Sequence, residues 1–247
     1  MSRRSRLQNR AMNKSHYLYE FELDDGNTIR IPLRVNQETV EAERNIDPDK
    51  LPSWTKMDFH QCGHCPLAKE GHCPAAVAIY SAIDCFSEVL SFSEVTLKVK
   101  TVQRDISRRT SVQRALSSLL GLLLATSGCP YTKYLKPLAR FHLPLQSEQE
   151  AYYRMASMYA LSLMIRKDKK PEEMTMQGLK NIFDNMHQVN LGLSERIKNA
   201  THADSANNAL IILDLYTVAI KYVEDDLSEE LGYLFTAYGE ADQADAR

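Results

Sequence analysis

The chain has no apolar run long enough to cross a membrane. Its most apolar stretch, Leu116–Gly128 (LSSLLGLLLATSG), falls short of the roughly 20 residues a helix needs to span the hydrocarbon layer. The basic start lacks the apolar segment of a secretory signal, and Arg3-Arg4 lacks the one an export signal needs. Charge of either sign is not in excess: the formal net charge is −2 with a pI near 6.4, which speaks against a general nucleic-acid coat. No DNA-binding motif is present. Gly-x-Ser-x-Gly, His-Glu-x-x-His, P-loop and Gly-x-Gly-x-x-Gly motifs are all missing, as are the Glu-x-x-His pairs of a di-iron bundle. No catalytic constellation emerges, so an enzyme is the less favoured class. Five cysteines, an odd number with three clustered, argue against a disulfide framework. They point to reduced thiols or thiolate ligands in the cytoplasm.

What is present is organised along the chain. A length of 247 residues with 44% apolar content allows a real core. Residues 1–14 carry Arg3, Arg4, Arg6, Arg10 and Lys14 with no acid, and the acidic far end closes with residues 239–247; both read as solvated tails. Tyr17–Leu23 and Thr28–Val35 alternate polar and apolar residues around Asp25-Gly26, a hairpin signal in which Pro32 marks an edge. Residues 36–59 are polar, with Trp54 their large anchor. Pro74 opens a helix running to about residue 90, Glu94–Val102 alternates as a strand, and Thr110 or Ser111 caps a helix through Ala125 with Gly128 beyond it. From Glu148 the pattern is helical, with further helices expected over 174–189, 191–201, 208–223 and 227–238. The expected fold is α+β: a small N-terminal antiparallel sheet over 15–145 and a mainly helical half over 146–238, packed as one unit and joined by a Cys-rich metal-binding segment. The helix over 208–223 is apolar nearly all round, which suggests burial or a homo-oligomer contact.

That joining segment, His60–Pro74 (HQCGHCPLAKEGHCP), holds three cysteines and three histidines. Cys62 and Cys65 in Cys-x-x-Cys spacing suit a tetrahedral ion, Cys73 can fold back through Gly71, and Cys129 supplies a fourth thiolate, with His60, His64, His72 and His142 as alternates. Cys65, Cys73 and Cys129 each precede proline, where five cysteines and nine prolines in 247 residues would give about 0.2 such pairs by chance. A proline there removes a backbone donor and fixes the chain's exit, as beside the cluster cysteines of ferredoxins. Zinc is the first expectation and an iron–sulfur cluster the competitor. A redox dithiol in Cys62–Cys65 (CGHC) is the third reading. Pro66, Lys69, Glu70 and Gly71 interrupt the helix it would need. Cys85, alone on an apolar helical face, reads as a small buried hydrophobe.

The segments HCPL (64–67), HCPAAV (72–77), TSGCP (126–130), ARFHLP (139–144) and SMYAL (157–161) occur in an order that resembles an uncharacterised bacterial family, a domain of unknown function. The resemblance runs over about positions 50–215. It implies a bacterial protein, and it implies that Cys129 and the earlier cysteines belong to one pattern. It brings no activity with it.

One more set of residues points to chemistry. Arg104, Arg108, Arg109 and Arg114 gather where a strand ends and a helix begins, a place that suits a small anionic ligand, and Lys133, Lys136 and Arg140 add to it. The plainer reading is a solvated loop with local ion pairs. His142, between apolar neighbours, reads as a hydrogen-bonded structural residue. The sequence thus suggests a binding, regulatory or adaptor protein with an unidentified protein partner. The alternatives are a redox protein and an enzyme acting on an anionic substrate at the arginines.

Overall fold

The computed structural model describes residues 14–166, 175–201, 204–219, 229 and 231–237; the expected tails, save Lys14, lie outside them. The hairpin forms where Asp25-Gly26 directs it. Gly26 takes φ +87°, a left-handed conformation that suits glycine, while the Asp25 carboxylate accepts from the Asn27 backbone N–H at 2.8 Å. Strands β1 (Lys14–Leu23) and β2 (Thr28–Asn36) pair antiparallel with Tyr17 opposite Leu33 and Phe21 opposite Ile29. Strand β3 (Glu94–Thr101) pairs with β1 and β4 (Asp105–Ser111) with β3. The order β2-β1-β3-β4 leaves β2 at an edge, where Pro32 costs no ladder bond. β4 replaces the charged loop expected before Thr110. Its residues are mostly exposed, so it carries no clear apolar alternation.

One sheet face is apolar and one charged. Tyr17, Tyr19, Phe21, Val95, Leu97 and Val99 are buried against helices. Outside, Glu20 lies between Arg30 (2.9 Å) and Lys100 (2.8 Å), and Glu22 accepts from Lys98 at 2.6 Å. The Lys100 and Arg30 hydrogen bonds hold the Glu20 carboxyl down at about 2.

Among the described residues six helices cover the sheet's inner face: α1 (Pro74–Cys85), α2 (Val112–Ala125), α3 (Lys136–Arg140), α4 (Glu148–Ile165), α5 (Gln177–Ala200) and α6 (Asp204–Ala219). Pro74 at N1 opens α1, which stops at Phe86, short of residue 90. Cys85 on its last turn is exposed, not buried as expected. α2 is the hub. Leu116, Leu119 and Leu120 on it are fully buried, each stabilising the fold by about 1.5–3 kcal/mol relative to exposure. Gly128, at φ +88°, turns the chain after it. Ser147 and Glu150 form a reciprocal capping box on α4. The two helices expected over 174–189 and 191–201 are one. Leu179, Phe183, Met186, Val189, Leu193 and Ile197 make a continuous buried stripe along α5, and a single Gly192 does not break it. Of the helix expected over 208–223, α6 covers the described part to Ala219; of the one over 227–238, a short turn at Gly232–Phe235 is described.

Candidate functional site

The cysteine segment is a loop closed at its base. Met57 N–H donates to Gly71 C=O at 2.9 Å and Cys73 N–H to Thr55 C=O at 2.8 Å. Gly71, at φ +74°, makes the return. Inside the loop Cys65 N–H donates to Cys62 C=O at 2.9 Å, setting both thiols on one tight turn. Cys129 arrives from the other direction, on the turn after α2, with its N–H held by Ser127 Oγ at 3.1 Å. The Tyr131 hydroxyl donates to the His64 carbonyl, and the two rings stack with centroids 4.2 Å apart. Both cysteine-bearing turns are thereby fastened to each other.

Cys62, Cys65, Cys73 and Cys129 line one cavity of about 20 Å³, together with Pro74, Ala75, Tyr131, Val189, Leu193 and Arg196. All four are free thiols. Burial, and then the neighbouring Cys73, Cys65 and Cys129, push the Cys62 thiol up to about 11, and burial raises Cys129 as well; a positively charged occupant would reverse this. Gly192 of α5 lies against the Cys62 side chain: a Cβ there would stand 2.8 Å from Cys62 Sγ, so the thiol would have to shift to admit one.

Arg196 is the charged residue of the lining, and it is 1% exposed. Its guanidinium donates to the carbonyls of Trp54 (2.8 Å), Lys56 (2.6 Å) and Met57 (3.1 Å). No carboxylate pairs with it among the described residues. A cation this deeply buried is retained where an anion offsets it, and the thiols are the groups at hand that become anionic on binding a metal.

The histidines take other places. His72 Nδ1 bonds Thr55 Oγ1 at 2.7 Å, His60 packs on Phe59, and His142 Nε2 meets the Tyr19 hydroxyl. None of His60, His64, His72 and His142 lines the thiol cavity. His64 Nε2 bonds the Asn185 carbonyl on α5 at 3.1 Å, while its buried Nδ1 has no hydrogen-bond partner among the described residues.

Among the described residues no group of three or more His, Cys, Asp or Glu side chains is disposed to hold a metal ion.

The predicted arginines separate. Arg109 turns to the outer face and pairs with Glu94 (2.9 Å) and Asp24 (3.0 Å). Lys136 reaches Glu41 at 2.8 Å and Arg140 reaches Gln37 at 3.2 Å. Arg108 and Arg114 line a second, larger cavity of about 510 Å³ between β4, α2 and the helical half. Arg104 lies close enough to Arg154 on that cavity's wall to be felt by it. Reading the sequence missed Arg154 and Arg196. Each is a single cation on an otherwise ordinary helix, and only the fold reveals what surrounds it.

The class these features define is an α+β domain whose helical layer encloses a four-cysteine cavity and a larger chamber beside it. Residues 17–236 match the family described as "Domain of unknown function (DUF6901)", and the chain belongs to that family. No curated protein and no solved structure matches it. Among the described residues no helix is long and apolar enough to cross a membrane.

Proposed function

We propose that the chain is an iron–sulfur protein in which Cys62, Cys65, Cys73 and Cys129 ligate one cluster, and that the cluster serves redox sensing or electron transfer. The observation that carries this reading is one enclosed cavity lined by four free thiols from two distant segments of the chain. Proline after three of the four, the buried Arg196 countercharge and the enclosing Val189, Leu193 and Ala75 fit a thiolate-bound cluster of net negative charge. With four protein ligands the site is closed, which suits a redox or structural role more than substrate activation. The dithiol reading fares less well, because Cys62 and Cys65 face two further thiols and do not open a helix; α1 begins at Pro74.

A regulatory protein needs a surface for its partner. α6 exposes Ile211, Leu215 and Val218 at helical spacing, the face that a protein partner or a second copy would cover. A reducing, cytoplasmic compartment is the one that keeps such thiols available.

The test is metal and sulfide analysis with an absorption spectrum on anaerobically purified protein, beside the Cys62→Ser/Cys65→Ser variant. Iron with acid-labile sulfide and a brown colour lost in the variant support the cluster. One equivalent of zinc in colourless protein would replace it with the structural zinc site expected first. Absence of any metal after anaerobic purification and reconstitution would sink both.

A further inference from the structure

We infer that the 510 Å³ cavity is a binding site for a small amphipathic organic anion, its carboxylate or phosphate head held by Arg108, Arg114 and Arg154 and its apolar body by the helical layer. This inference goes beyond the cluster and does not depend on it.

The volume lies within the roughly 300–1,000 Å³ of small-molecule sites, and the composition has the same character, apolar walls with a few convergent polar groups. Leu122, Leu138, Met155 and Phe183 supply walls. Arginines from three elements supply the charge: Arg108 from β4, Arg114 from α2 and Arg154 from α4. Arg108 and Arg114 have no hydrogen-bond or ion-pair partner among the described residues, although Arg109 next to them has two. Arg154 donates to Gln146 Oε1 (2.5 Å) and the Phe141 carbonyl (2.6 Å) and makes no ion pair there. Burial presses against its charge, Glu150 offsets part of this and Arg104 adds to it; a bound anion would relieve the remainder.

Among the described residues three carboxylates stand near, and one of them, Asp214, accepts from Asn190 and Thr217 of the lining. Glu150 is engaged in the α4 capping box, and Glu148 lines the cavity close to Tyr216 and Arg114. On the lining itself Arg108, Arg114 and Arg154 stand against the one carboxylate of Glu148, so the local field favours an anion.

Deeper in, the wall is polar in a way packing does not require. His142 lines the cavity with Nε2 on the Tyr19 hydroxyl and Nδ1 without a hydrogen-bond partner among the described residues. Ser118, whose hydroxyl accepts from the Leu145 N–H at 3.3 Å, lines it too. These groups fit a ligand whose body carries a hydroxyl or carbonyl. The chamber also abuts the thiol cavity. Tyr131 and Val189 line the smaller cavity, while their chain neighbours Thr132 and Asn190 line the larger one. One layer of residues separates a ligand from the cysteines.

The test is calorimetric titration of the full chain with decanoate and decyl phosphate, below their micellar concentrations, and with 1-decanol as the neutral control. Saturable binding of one equivalent of either anion is expected, and which one binds tells a carboxylate head from a phosphate. Arg108→Gln/Arg114→Gln, at exposed positions outside the core, should weaken binding tenfold or more, and Leu138→Trp should abolish it by filling the chamber. Decanol binding as tightly as the anions, no effect of the arginine pair, or no saturable binding of either anion would each overturn the assignment.

Discussion

If Arg196 is the countercharge of a thiolate centre, its removal must hurt most when that centre is assembled. Arg196→Met keeps the apolar stem and leaves the Trp54, Lys56 and Met57 carbonyls without a donor. Each orphaned group costs about 1–3 kcal/mol, and losing a buried cation relieves part of that sum through its own desolvation. With neutral thiols beside it, the net loss is therefore small, about 1–3 kcal/mol. With an anionic centre the variant also leaves a buried negative charge uncompensated, and the loss becomes about 3–5 kcal/mol. For a domain of this size about 1 kcal/mol moves Tm by roughly 2–4 °C, so the assembled protein should lose about 6–20 °C. Thermal unfolding of Arg196→Met, of Cys62→Ser/Cys65→Ser and of the combined variant under anaerobic conditions gives the coupling. A coupling of about 1–3 kcal/mol is expected. Effects that add to within about 0.5 kcal/mol would refute the countercharge argument.

Two other predictions concern single positions. Gly192→Ala should strengthen α5 by about 1 kcal/mol, as alanine does over glycine in a helix; its Cβ would nevertheless meet Cys62 Sγ at 2.8 Å, so metal content per chain should fall while Tm of the stripped protein holds or rises. Full metal content in this variant would show that the thiol moves aside freely. Burial, with the Arg154 charge second, lowers His142 to about 3, so the unfolded chain takes up this proton first as pH falls. The stability is complete above the ordinary histidine value near 6.5 and is lost on the way down toward 3, by at most about 1.4 kcal/mol per pH unit. Urea midpoints at pH 7, 6 and 5 should show a shallower decline for His142→Gln than for the natural protein, and parallel declines would exclude His142 as the source.

Much of this was readable along the chain because its causes are local. The Asp25-Gly26 hairpin, Pro32 on an edge strand, Pro74 opening α1 and the end of α2 before Gly128 each depend on a few neighbouring residues. So does the closing of the Cys62–Cys65 turn. β4 and the continuity of α5 were not readable. β4 owes its existence to pairing with β3, not to its own exposed residues, and α5 runs through Gly192 because one buried stripe continues on both sides of it.

By itself, then, the sequence determined the class of fold and the set of cysteines worth bringing together, since residue type, spacing and the proline after three of the four are properties of short segments. Only the tertiary structure decided that Cys129 stands with Cys62, Cys65 and Cys73, that the histidines stand apart, and that Arg196 is buried behind the thiols while Arg108, Arg114 and Arg154 surround a chamber. Those relations join elements far apart in the chain, and what sets them is the packing of α2, α5 and α6 against one another and the sheet.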